Sequence, residues 1–255
     1  MASFNKELEK ELLQAANSLL YPPSSLNNLL RLLCQVGSCL SRVEQSRAES
    51  KKKELSSLSK ALIADELINN SDVDVKVALA YCFSELTRIT APNAPYDDHQ
   101  MKEVFGLIVS SFEILYDKSS RWYQEKILIL ELVAKLRLCV LMLDLECDDL
   151  ILEMFQHFLE TIREHHPETV FSSMKSIMVL VLDESDDISL DLLSPIIDSV
   201  KKDNEVSVPI ALKLGESVLQ SCATKLKPYL RLAVNELGIS LDDYSDVLAS
   251  VYNNR

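Results

Sequence analysis

Apolar residues recur at helical spacing along most of the chain. Val75, Leu79, Cys82, Phe83, Leu86 and Ile89 fall at i, i+4, i+7, i+8, i+11 and i+14, on one face of a helix. Met101, Val104, Phe105, Ile108, Val109, Phe112 and Leu115 make a second such face. Leu150, Ile151, Met154, Phe155, Phe158, Leu159 and Ile162 make a third. Starts are marked by residues that can accept from the free N–H groups of a first turn: Ser71-Asp72, Asp97-Asp98, Ser119-Ser120, Asp148-Asp149 and the Ser240/Asp243 pair. Period-two alternation is nowhere sustained. The pattern predicts an all-α chain.

The helices are arranged repetitively. Densely apolar segments open near Asp72, Ser119, Pro167 and Asn204, separated by about 47, 48 and 37 residues. More amphipathic helices are expected between them, over about 98–116, 149–164 and 188–202. An outer amphipathic helix followed by an apolar inner one is the unit from which stacked helix pairs are built. Asp72-Val73-Asp74-Val75-Lys76 is similar to the HEAT signature, an acidic residue before a Val-Lys pair, and the spacing exceeds that of tetratricopeptide repeats. The expected fold is a HEAT-repeat α-solenoid of antiparallel helix pairs over 71–255, with an N-terminal helical capping region over 1–70. In that cap Phe4, Leu8, Leu12, Ala15 and Leu19 share a face, Tyr21-Pro22-Pro23 stops the helix, and Leu26, Leu29, Leu30, Leu33 and Val36 begin another. A further helix is expected over Ile239 to Tyr252. No polar capping repeat follows it, so the chain is expected to be the N-terminal part of a longer solenoid or to pair through that end.

Composition narrows the function classes. Only four of 255 residues are glycine, which disfavours a phosphate-cradling loop, and the net charge of −13 disfavours nucleic acid and anionic membranes as partners. Lys51, Lys52 and Lys53 form the one basic run, but Glu49 and Glu54 flank it. The apolar stretch Ile127 to Leu143 carries Glu131, Lys135 and Arg137, and so predicts a buried helix rather than a membrane span. Six cysteines (34, 39, 82, 139, 147 and 222) show no C-x-x-C spacing and are expected to act as small buried hydrophobes.

Catalytic patterns are absent: there is no G-x-S-x-G, H-E-x-x-H or P-loop. His157, Glu160 and Glu164 are expected to share a helical face, the one arrangement that leaves an enzyme reading open, but no fourth metal ligand accompanies them. His165-His166 is expected at a helix C-terminus, where partly charged imidazoles suit the dipole. Asp183-Glu184-Ser185-Asp186-Asp187 fails as a calcium loop, since Ile188 and Ser194 stand where glycine and glutamate are needed. It reads as an inter-helix turn with capping carboxylates. No cofactor or metal is expected.

Ile89-Thr90-Ala91-Pro92-Asn93-Ala94-Pro95-Tyr96 stands apart from the other turns. Two prolines three apart stop the helix and are expected to hold the chain extended, with the Tyr96 ring at the end of a stiff segment. The segment can be a mere connector or a preorganised peptide site. Val73 through Tyr96 resembles the N-terminal HEAT region of the precocious-dissociation-of-sisters family of cohesin-associated cohesion regulators. Members carry Ala-Pro-Asp/Glu-Ala-Pro-Tyr after a helix ending in Arg-Ile; Arg88-Ile89 and Ala91–Tyr96 match except at Asn93, where the acid is replaced. Looser similarity runs through Tyr123 to Leu145 and Leu150 to Val181, and few glycines suggest a plant-type member. The resemblance implies a nuclear, chromatin-associated, non-enzymatic scaffold. Its implied partners are the cohesin complex (kleisin subunit and SMC ATPase heads), the cohesin-release factor and competing cohesion-protecting proteins. It implies a partner-binding site at Arg88, Ala91, Pro92, Asn93, Ala94, Pro95 and Tyr96, without direct nucleic-acid or membrane contact. The rival reading is a HEAT adaptor for nuclear transport or a phosphatase complex.

Overall fold

The computed structural model of the protein describes residues 2–45 and 52–253. The side chains of Phe4 and of the lysine run, with Glu49 and Glu54, lie outside that description. Fifteen α-helices and no strand occur among the described residues. The contacts divide the chain into two compact units, Met1–Ser111 with Ser119–Leu132, and Phe112–Lys118 with Val133–Arg255.

The first unit contains α1 (Ala2–Leu19), α2 (Leu26–Ser41), α3 (Lys52–Leu62), α4 (Asp65–Ile68), α5 (Val73–Thr90) and α6 (Asp98–Ser110). Leu8, Leu12, Ala15 and Leu19 are buried as their spacing requires, and α1 packs on α2 and α3. Each such Leu contributes about 1.5–3 kcal/mol by burial. α5 is the centre of the unit. Both its faces are apolar because α2 covers one side and α6 another, and Asp72 caps it by accepting from the Val75 N–H at 3.1 Å. Because α5 packs so closely on α2, the unit runs across residues 70 and 71 without a break.

The second unit stacks like on like. α8 (Leu138–Asp144), α10 (Glu168–Glu184) and α13 (Pro209–Ser221) follow one another in one layer, and α9 (Asp148–Thr161) packs on α11 (Leu190–Ser199) in the other. This is the inner-on-inner, outer-on-outer packing that helix-pair repeats use. Several boundaries differ from the sequence reading. The run Ile127 to Leu143 is two helices, α7 (Tyr123–Leu136) and α8, because Arg137 adopts a left-handed conformation at φ 54°. Its guanidinium meets Glu184 at 2.8 Å. The segment from Asn204 makes one short turn, α12 (Asn204–Ser207), before Pro209 starts α13. Ile239 to Tyr252 is not one helix. Gly238 ends α14 (Ala223–Leu237), a 3-10 turn spans Leu241–Asp243, and α15 (Asp246–Asn253) follows. An isolated bridge between Lys201 and Tyr244 interrupts it, and Ser245 N–H donates to the Val200 carbonyl at 2.9 Å.

Candidate functional site

The proline segment closes into a turn rather than standing extended. α5 ends at Thr90, Ala91 is extended as a residue before proline should be, and the Asn93 N–H then donates back to the Thr90 carbonyl at 3.0 Å. That bond gives the Asn93 amide a partner, which an extended course would deny it. Asp97 caps the next helix, accepting from the Gln100 N–H at 2.9 Å. The Gln45 side chain donates to the Ala91 carbonyl and ties the turn to the segment that follows α2.

Beside this turn lies a cleft of about 790 Å³, the volume of a peptide-sized or drug-sized site. Its walls are the turn, the last residues of α5 and one face of α3. Leu55, Leu86, Ile89 and Pro95 supply apolar surface; Ser56, Ser59, Asn93 and Gln100 supply hydrogen-bonding groups; Lys60 and Asp97 stand among the lining residues. Ala91, Asn93, Ala94, Pro95 and Tyr96 of the expected site line the cleft. Arg88 and Pro92 do not.

Tyr96 is a wall of the cleft, not a projecting tip. Its ring meets Phe83 edge-on with centroids 5.7 Å apart, and its hydroxyl donates to the Ser59 carbonyl at 3.0 Å. Burial raises the phenol pKa well above its usual range, so the hydroxyl is a fixed donor. Arg88 turns the other way. It meets Glu85 at 2.6 Å and donates to the Leu40 carbonyl in the last turn of α2 at 3.1 Å and to the Val43 carbonyl just beyond it at 3.0 Å. The contributions of α3, Gln45 and Gln100 had no signal in the sequence, because nothing local relates residue 59 to residue 96.

The other polar groups are accounted for by the fold. His157 pairs with Glu153 at 3.2 Å, and α9 ends at Thr161, so Glu164 does not share its helical face. Among the described residues no group of three His, Cys, Asp or Glu side chains is placed to hold a metal ion. The acidic turn after α10 is held from outside, by Lys225 Nζ on the Asp183 and Ser185 carbonyls at 2.6 and 2.7 Å. The cap of α11 is the Ser189 hydroxyl rather than a carboxylate. Cys39, Cys82, Cys139, Cys147 and Cys222 are buried and Cys34 is exposed. No helix among the described residues is long and apolar enough to cross a membrane.

His166 lies in the turn beyond α9, not at the helix terminus. Its Nδ1 accepts from the Arg163 N–H at 2.9 Å, and its Nε2 is 3.1 Å from the Leu115 carbonyl, which sets the Nε2–H tautomer. Burial lowers its pKa, and the nearby His165 and Arg163 charges act the same way. A histidine with a depressed folded-state pKa contributes its full stability above its unfolded pKa, about 6.5, and loses it as pH falls through the folded value. Melting temperatures of wild type and His166→Asn are therefore expected to differ at pH 7.5 and to converge towards pH 5. A difference that stays constant with pH overturns this.

The family model for "Sister chromatid cohesion protein PDS5 protein" matches residues 27–245, most of the chain. The chain belongs to the PDS5 family. The PDS5 homolog C of Arabidopsis thaliana is 57% identical over 251 residues, covering 98% of this chain and 29% of the relative. The homolog E of the same plant is 47% identical, covering 95% of this chain and 24% of the relative. Saccharomyces cerevisiae PDS5 is 28% identical over 194 residues, covering 74% and 15%. The higher identities to plant proteins make this a plant-type PDS5 sequence. The chain spans less than a third of the length of these plant relatives. A chain in the solved structure described as "Structure of the Pds5-Scc1 complex and implications for cohesin function" superposes with a TM-score of 0.65 at 22% identity, covering 89% of this chain and 36% of that one. The PDS5 fold here is thus the HEAT-repeat helix-pair fold anticipated from the spacing.

Proposed function

We propose that this chain is part of a non-enzymatic cohesin regulator that controls sister-chromatid cohesion, and that the cleft beside Ala91–Tyr96 docks a short linear peptide. The observation that carries the docking site is the cleft itself. Five turn residues line one wall, and α3 supplies an opposing wall with both apolar and hydrogen-bonding groups. Such a surface suits an extended peptide with an aromatic or basic anchor, because the turn is already ordered and binding need not order it. Family membership supports cohesin as the assembly, and the Pds5–Scc1 structure of a relative supports the kleisin subunit as a partner. The SMC ATPase heads, the cohesin-release factor and cohesion-protecting proteins are its further proposed partners, and the nucleus and chromatin its proposed location. Affinity purification of the tagged full-length protein should recover cohesin subunits. Recovery of transport receptors or phosphatase subunits instead would sink the reading.

Asn93 tunes the same site. It is exposed at the cleft edge, and an aspartate there keeps the size while adding a charge. Asn93→Asp is expected to tighten binding of a release-factor peptide carrying a cation by about two- to fivefold, the range of an exposed ion pair. The gain should shrink as salt rises from about 0.02 M to about 0.5 M, since screening falls on exposed charges first. Calorimetry at both salts decides it, and an unchanged affinity at low salt rules out a cation at that position.

A further inference from the structure

The second unit carries a groove between α9 and α11. Two cavities of about 470 and 620 Å³ meet there, and Leu152 and Asp191 line both. Asp149 and Asp191, at the starts of the two helices, flank one end; Glu160 and Asp198, in their last turns, flank the other. The helices therefore run in the same direction with the groove between them. Glu160 lies eleven positions after Asp149, about 16 Å along a helix that rises about 1.5 Å per residue. An extended chain covers that length in about five residues.

The floor is apolar, and the fold covers it incompletely. Leu152, Pro195 and Val208 line it and are only partly buried. Pro195 also has no N–H to give the Asp191 carbonyl, so a backbone acceptor on this wall lacks its helical donor. Among the described residues no lysine, arginine or histidine lines either cavity. The ion pairs nearby, Arg137 with Glu184 and Lys201 with Asp198, leave the remaining lining carboxylates without a cation among the described residues.

Helix stability accounts for only one end of this charge. Asp149 and Asp191 sit in first turns, where the macrodipole favours acids. Glu160 and Asp198 sit in last turns, where it opposes them. Arg163 relieves the end of α9 through the Glu160 and Ile162 carbonyls, not through the Glu160 carboxylate. An apolar floor with acceptors at both ends selects a ligand that has apolar surface and positively charged donors. A lone metal ion would leave the floor bare, and an anion would be repelled. Lysine and arginine supply both a cation and an apolar stem. We propose that this groove docks an extended segment of a partner protein in which lysine or arginine residues flank one apolar side chain. The cations meet the carboxylates at the two ends, and the apolar side chain rests on Leu152 and Pro195.

The probe is a fluorescein-labelled pentapeptide, Arg-Lys-Leu-Lys-Arg, titrated with the whole chain and read by anisotropy. Saturable binding in the sub-millimolar range is expected at about 0.05 M salt and should be lost at about 0.5 M. Serine in place of the leucine should weaken it about fivefold, and glutamate in place of the basic residues should abolish it. Glu160→Gln should weaken the peptide about threefold without lowering the melting temperature, since the dipole no longer opposes that side chain. Adding Asp191→Asn should bring the loss to about tenfold. Asp65→Asn with Glu66→Gln, an equal loss of charge in α4, should leave the affinity unchanged. Equal binding of the serine peptide, or equal weakening by the α4 variant, means general attraction to an acidic protein and overturns the proposal. So does displacement of the peptide by millimolar calcium at constant ionic strength, which makes the groove a cation site, or an affinity that Glu160→Gln leaves unchanged.

Discussion

Tyr96→Ala is expected to destabilise the protein by about 2–3 kcal/mol and to weaken the proposed docking of a release-factor peptide at least tenfold. A ring merely carried at the end of a stiff segment would leave the melting temperature nearly unchanged on truncation. The ring instead packs edge-on against Phe83, which is fully buried, and its hydroxyl satisfies the Ser59 carbonyl. Truncating a buried aromatic costs about 3–5 kcal/mol, a half-buried one less, and the lost hydrogen bond adds about 1 kcal/mol. Tyr96→Phe separates the two roles. It should cost about 1 kcal/mol while keeping the apolar wall, and so bind within a few-fold of wild type. Binding is measured by calorimetry at a temperature where both variants are folded. If Tyr96→Ala then binds like wild type, the turn is a connector and the cleft is not the docking site.

Arg88→Ala is expected to cost about 3 kcal/mol of stability without a direct effect on the cleft. Glu85 is 6% exposed, and Arg88 is its ion-pair partner as well as the donor to two carbonyls at the end of α2. Removing the cation leaves a buried carboxylate unpaired and takes a donor from the Val43 carbonyl, while the Leu40 carbonyl keeps the Val43 N–H at 2.9 Å; breaking a buried pair from one side costs about 3–5 kcal/mol, less here because Arg88 retains some solvent contact. The double variant Arg88→Met with Glu85→Leu should recover much of the loss, since apolar replacements of both partners are often near neutral. Chemical denaturation of the single and double variants measures the coupling. A double variant as unstable as the sum of the singles would place Arg88's contribution in the carbonyl contacts rather than the ion pair. Arg88 holds the end of α2 and the segment after it against α5, and Gln45 reaches the turn from that segment.

Local sequence specifies the turn but not the direction of the neighbouring arginine. Ala91, Asn93, Ala94, Pro95 and Tyr96 were legible as a unit because prolines act on the residues beside them. Whether an adjacent arginine faces the same side depends on which helix packs there, and no spacing within α5 encodes that. His157 and Glu164 failed as a shared face for a related reason. The helix carrying His157 stops at Thr161, with Ile162 extended, before the periodicity can bring Glu164 round.

The sequence by itself determined the all-α class, the helix starts at Asp72 and Asp97, the burial of Leu12, Phe83 and Phe155, and the stop of α5 before Pro92. These follow from interactions within a few residues: apolar spacing, capping side chains and the fixed φ of proline. Only the tertiary structure decided that α3 forms the facing wall of the cleft, that Arg137 splits one apolar run into two helices, and that α9 and α11 flank one groove. Each of those depends on residues far apart in the chain meeting by shape. Periodicity states which face of a helix is apolar, but which partner covers that face is decided by packing.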